Sequence, residues 1–273
     1  MAKLKSDPID GGDLEDFLHT QSDFDFEMRV LSVLQELEFE CSHSGAYVDP
    51  VTGKIRQYDI RAMRTFPSHS LALAVECKNI RPNAPLLLST VPRSKSESYN
   101  DLVVSDFVRP HQVRRVARTT ERSPYREAQP VAKRTDQVGR LESSGELQSN
   151  DETTFEKLNQ AVNSCRDLIL QRPSVTSQRH SRAVVPVVVV PDGALWQVDY
   201  YATGALKEAP RKVADCPLWL DHAWSVADTS HPFPLVFHLS HLEFVTLGAL
   251  LAAATEWLSV KGFFFEQKLS ESL

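Results

Sequence analysis

A chain of 273 residues is longer than the commonest domain, which fits one large domain or a core with appendages. With 42% apolar and 24% charged residues, it has the composition of a globular protein with a real core. A formal net charge of −6 excludes an overall basic surface, so any nucleic-acid partner has to be met by a local patch.

The first 22 residues read as an acidic segment, and MAKLKSDPIDGGDLED lacks the apolar run of a signal peptide. Residues 1–60 carry 13 acids against 5 bases, a balance of −8. In residues 23–38, Phe26, Val30, Val33, Leu34 and Leu37 recur at helical spacing, with acids in the first turn where the helix dipole favours them. Three strands are expected next, over 39–48, over 54–64 after a turn in DPVTGK, and over 70–78. Residues 81–150 read as an insertion or long mobile loop with a short helix at most. Within it, residues 109–140 hold 9 bases against 3 acids, a balance of +6. Arg114, Arg115 and Arg118 are its candidate phosphate contacts, and a solvated surface is the equal alternative.

A helix is predicted over 152–170, with Phe155, Leu158, Val162, Cys165 and Ile169 on its apolar face and Lys157 and Gln160 on a solvated one. VVPVVVV at 184–190 suits a central strand despite Pro186, and Asp192-Gly193 signals a hairpin into ALWQVDYY. Irregular structure over 201–232, a short strand near 234–239 and a helix over 241–260 complete the chain. The uncharged run Phe244 to Thr255 lies between Glu243 and Glu256 and is too short to span a bilayer, so no membrane partner is expected. Cys41, Cys77, Cys165 and Cys216 are scattered and form no C-x-x-C pair, which reads as reduced thiols in a cytoplasmic protein.

Asp59 in RQYDIRA and Glu76 and Lys78 in LALAVECKN carry the most chemistry, as D-x16-E-x-K across two consecutive strands. Alternate residues of a strand share a face. Leu71, Leu73, Val75 and Cys77 therefore line one side, and Ala72, Ala74, Glu76 and Lys78 the other. Glu76 and Lys78 project together from the end of an otherwise apolar strand. Arg56 and Arg61 flank Asp59 as phosphate contacts or as ordinary ion partners. His238 and His241, three apart in an apolar segment, read as packed or capping residues, and Trp196, Trp219, Trp224 and Trp257 as core.

Set on the order helix, three strands, helix, strand, these residues resemble the PD-(D/E)xK phosphodiesterase superfamily, the restriction-endonuclease-like fold. The matching positions are Glu27 on the first helix, Asp59, and Glu76-Cys77-Lys78. Tyr58 stands where the literal motif has proline. The likeness covers residues 23–80 by motif and 152–200 by element order. It implies an α/β fold with a central mixed β-sheet flanked by helices (αβββαβ). It also implies one domain over 23–273, with a basic insertion at 81–150 and a C-terminal helical extension.

The activity implied is that of a Mg2+-dependent nuclease, with Mn2+ able to substitute. DNA is the expected substrate, and repair or defence against foreign DNA the expected setting. A hard divalent ion takes oxygen ligands. The resemblance assigns these to Asp59, Glu76 and the backbone carbonyl of Cys77, with Glu27 holding a second ion or an associated water. Lys78 is expected to act electrostatically, because a lysine of ordinary pKa, about 10.4, is a poor base at neutral pH. The alternative reading is a catalytically inactive relative that uses the fold to bind nucleic acid or protein; retention of both Glu76 and Lys78 favours the enzyme. Whether a homodimer or a partner protein supplies targeting stays open at this point.

Overall fold

The computed structural model describes residues 7–20, 22–49, 52–67, 69–108, 111–119, 124–141, 143–149, 152–170, 179–226 and 234–258. In chain order its elements begin with α1 (Gly11–Thr20), α2 (Phe24–Glu36), β1 (Glu40–His43), β2 (Ala46–Val48), β3 (Ile55–Gln57), β4 (Ile60–Thr65) and β5 (His69–Cys77). The middle of the chain forms β6 (Leu86–Pro92), β7 (Asn100–Val108), β8 (His111–Thr119), β9 (Pro130–Arg140), β10 (Leu147–Ser149) and α3 (Glu152–Leu170). The last third forms β11 (Arg179–Val190), β12 (Leu195–Asp199), β13 (Arg211–Lys212), β14 (Asp215–Val226), β15 (Leu235–Thr246) and α4 (Leu247–Leu258).

Thirteen of the described strands form one mixed sheet in the order β1-β4-β5-β11-β15-β14-β9-β6-β12-β13. β10 pairs with β9, β7 joins β8 to β11, and β2 and β3 make a separate hairpin. The centre of the sheet, β5-β11-β15, is parallel, whereas β1, β4 and β5 meander antiparallel. Helices cover both faces, so the chain is an α/β protein with a large mixed sheet flanked by helices.

Strand alternation divides the core in two. Leu71, Leu73, Val75 and Cys77 of β5 join Val185, Val187 and Val189 of β11 under α2 and α4. Ala72, Ala74, Val184 and Val188 face the other way, against Ala161, Val162 and Cys165 of α3. The alternation expected for residues 71–77 is the one observed, and it sends Glu76 to the α3 side.

Several sequence expectations are corrected. The supposed loop over 81–150 holds five strands. In LLLSTVP, Leu86, Leu88 and Thr90 are fully buried, and the strand fits between β9 and β12. Composition rich in Pro and Ser around that segment hid this period of two. The acidic N-terminus holds α1, begun by reciprocal bonds in which the Asp13 N–H donates to Asp10 Oδ1 (3.0 Å) and the Asp10 N–H to Asp13 Oδ2 (3.1 Å).

Asp192-Gly193 makes no hairpin, since β12 lies beside β6 and β13. Asp192 instead accepts the Gly248 N–H at 2.8 Å and so caps α4. That helix begins at Leu247, not 241, because FHLSHLEFVT continues as strand. The stretch over 201–232 read as irregular contains the twelve-residue β14. Pro186 is tolerated in β11 because residues 183–186 pair only with β5; on the opposite side β7 reaches Arg182 and β15 starts at Val187. His241 is buried and stacked on Tyr125, with ring centroids 3.6 Å apart, as a packed histidine.

The connection after β1 passes over Tyr58, whose N–H donates to the Gly45 carbonyl at 2.9 Å. A Cβ on Gly45 would stand 2.1 Å from the Tyr58 hydroxyl oxygen. Gly45→Ala is therefore expected to lower unfolding stability by about 1–3 kcal/mol, as overpacking does. Chemical denaturation checks this, and a wild-type midpoint in the variant would show that the loop moves aside freely.

Candidate active site

Asp59 and Glu76 meet because of register. β4 and β5 pair antiparallel with Ile60 opposite Val75 and Arg61 opposite Ala74. One step further along the same register sets Asp59 opposite Glu76, on the same face of the sheet. The sixteen-residue spacing is thus that of a hairpin whose two acids stand side by side. Asp59 is held from below, its Oδ2 accepting the Cys77 N–H at 2.7 Å. Its own carbonyl accepts the Ser44 N–H at 2.9 Å.

The cation between them is Lys157. Its ammonium lies 2.6 Å from Asp59 Oδ2 and 3.3 Å from Glu76 Oε2. Lys157 sits on α3, on the face turned to the sheet, together with the buried Thr154, Ala161 and Ser164. This corrects the expectation of a solvated face. The apolar stripe is rotated toward these small and polar residues, and Phe155, expected in it, is 63% exposed.

Glu76 is fully buried. Burial, reinforced by the neighbouring Asp59, pushes its carboxyl up to about 8, against the pull of Lys157. Its Oε1 is buried with no hydrogen-bond partner. Lys157 is itself held above the ordinary lysine range, burial being outweighed by the two carboxylates.

The other predicted residues fall around this pair. Lys78 is buried and its ammonium donates to Thr154 Oγ1 at 2.5 Å, at the start of α3. The Cys77 thiol packs into the opposite core, and burial raises its pKa well above normal; only its main chain faces Asp59. Glu27 does not join the two acids, its Oε2 pairing with His43 Nε2 at 2.7 Å. Asp23, at the N-terminus of α2 and missed in the sequence, lines the neighbouring cleft, and burial raises its carboxyl against the pull of Lys157. Among the described residues no three His, Cys, Asp or Glu side chains group as a metal cluster.

Arg61 is not a surface cation. It is buried, with its guanidinium 4.1 Å from the Tyr58 ring centre, and donates to Ser164 Oγ (3.1 Å) and Asp167 Oδ2 (2.7 Å) of α3. Arg56 is exposed on β3. Arg114, Arg115 and Arg118 stand on β8, paired with β7; their side chains lie outside the described residues.

The site opens into a cleft of about 1460 Å³, lined among others by Lys78, Lys157, Gln160, Arg81, Trp196 and Lys212. Trp196 is thus a wall residue and not core, as had been expected. No protein-family model, curated protein or solved structure matches the chain.

With its pKa raised, Glu76 in the folded protein keeps a proton that the unfolded chain has already lost. Its contribution to stability is full below the ordinary carboxylate range and falls as pH rises toward about 8. In metal-free buffer, wild type is therefore expected to lose about 4 kcal/mol relative to Glu76→Gln between pH of about 5 and about 8.5. Denaturant titrations at the two ends measure it, and a pH-independent difference between the proteins would contradict the shift.

Proposed function

We propose that the protein is a divalent-metal-dependent nuclease with a restriction-endonuclease-like core, α2-β1-β4-β5-α3-β11, acting on DNA in repair or in defence against foreign DNA. The observation that carries this reading is Glu76: a fully buried carboxyl beside Asp59, with one oxygen unpartnered, paired with Lys157, which lines a cleft together with Lys78. A buried acid left so poorly satisfied is a functional-site signature.

The residues fit a Mg2+ ion, which binds through one or two carboxylates and keeps several waters. Asp59 and Glu76 would hold it, with the Cys77 main chain alongside. When bound, the ion would offset charge on a phosphodiester and make water a better nucleophile at neutral pH.

The chain's own residues do the rest. Asp59 is held by the Cys77 N–H, so its carboxylate is preset before substrate arrives. Lys157, charged throughout the neutral range, stabilises negative charge building on the phosphate oxygens. Lys78 anchors the start of α3 through Thr154 and lines the same cleft, which makes it a positioning residue for Lys157.

Asp59→Ala is expected to reduce Mg2+- or Mn2+-dependent cleavage of plasmid or single-stranded DNA by at least about 100-fold, and Lys157→Ala by a similar factor. Lys78→Ala should cost less, since it acts through α3. Gel assays of the purified proteins test this. Equal metal-dependent cleavage by wild type and Asp59→Ala would place the chemistry elsewhere. Tight binding with no cleavage would favour the inactive, binding-only alternative.

A further inference from the structure

We propose that the cleft takes an unpaired nucleic-acid strand, with one base stacked on Trp196 and backbone phosphates against Lys212 and Arg81. The inference rests on the nuclease reading and names the form of its substrate. Trp196 of β12 and Lys212 of β13 are directly opposed in an antiparallel pair at the edge of the sheet, so their side chains share a face. The Lys212 ammonium lies 5.5 Å from the Trp196 ring centre, and both residues line the cleft. Arg81, exposed in the connection after β5, lines it as well. Ile80, Pro82 and Ala84 add apolar surface beside it.

The cleft lining carries Lys78, Arg81, Lys157 and Lys212 against Asp23, Glu156 and Asp192, an excess of one base. Asp192 accepts the Gly248 N–H and keeps its charge, and Asp23 lies near Lys157. What the lining offers a base is the Trp196 ring with Lys212 beside it.

That pairing distinguishes between nucleic-acid forms. A duplex hides its base faces in the stack and offers a protein its phosphates and groove edges, for which a basic track without an aromatic platform suffices. A half-buried ring in a cleft wall, flanked by cations, matches a strand whose bases are free to stack, and the match is indifferent to sequence. Lys212 already sits on the ring, and in water that contact is weak enough for a base to displace it.

The test is fluorescence anisotropy in EDTA, with labelled oligothymidylate of about ten residues and a blunt duplex of equal length. Wild type should bind the single strand about tenfold more tightly than the duplex. Trp196→Ala should weaken single-strand binding about tenfold while Trp196→Phe retains most of it. Lys212→Ala should flatten the salt dependence by about one phosphate contact. Equal affinity for the two forms, or single-strand binding indifferent to Trp196→Ala, overturns the proposal. If Trp196→Ala does not fold, as judged by its melting transition, the single-strand preference of wild type and the Trp196→Phe result decide.

Because no metal is present, this outcome is separable from the nuclease reading. Trp196-dependent binding without any cleavage would remove the nuclease reading alone. Asp59-dependent cleavage without single-strand preference would remove only the present inference.

Discussion

The antiparallel register of β4 on β5 is the constraint from which the site follows. It places Asp59 opposite Glu76 and decides that both look toward α3. A slip of one residue would exchange the faces of β5, driving Glu76 into the core beneath α2 and α4 and exposing Leu73 and Val75 to α3. That alternative is strongly disfavoured, because the two faces are filled differently. The α2/α4 face carries Leu71, Leu73 and Val75, while the α3 face carries only Ala72 and Ala74. Small residues there let α3 approach with its own small side chains, Ala161 and Ser164. Lys157, one turn before Ala161, is thereby brought down onto the carboxylates.

Two crossed charge pairs then lock the helix in place. Asp59 at the entry to β4 takes the base of α3, Lys157, while Arg61 on the same strand takes the acid of α3, Asp167. The pairs lie about three helical turns apart along α3, so the helix can neither roll nor slide without breaking one of them. Arg61 is in turn packed on Tyr58, whose room depends on Gly45 having no side chain. Tyr58, the residue before Asp59, is therefore a support for the clamp.

Legibility followed the strength of the local pattern. The range of α3, the start of α2, the faces of β5 and the pairing of Asp59 with Glu76 could all be read, because each is fixed by a period or by a spacing between near neighbours. Lys157 could not. It lies 81 residues beyond Glu76, and its neighbours on the helix face are Thr154, Ala161 and Ser164, small or polar residues with a weak hydrophobic signal, while Phe155 carries a misleading one. The strands β6 to β10 were missed because Pro, Ser and Arg dominate the composition there and the pairing partners are distant. Glu27 was placed on the right helix, yet its carboxylate has a hydrogen-bond partner in the His43 ring, which no helical period reveals. A signal did exist for Lys157: its spacing from Ala161 and Ser164 is four and seven, the spacing of a helix stripe.

Lys157 also bears on how the protein is made. Sites built from clustered acids often leave a chain waiting for its ion, since repulsion among the carboxylates opposes assembly until a counter-charge arrives. Here the counter-charge is covalently part of the chain and is delivered by the docking of α3. The fold can therefore assemble without a divalent ion, and on the proposed metal-dependent reading the ion's supply would govern when the protein works without governing whether it exists.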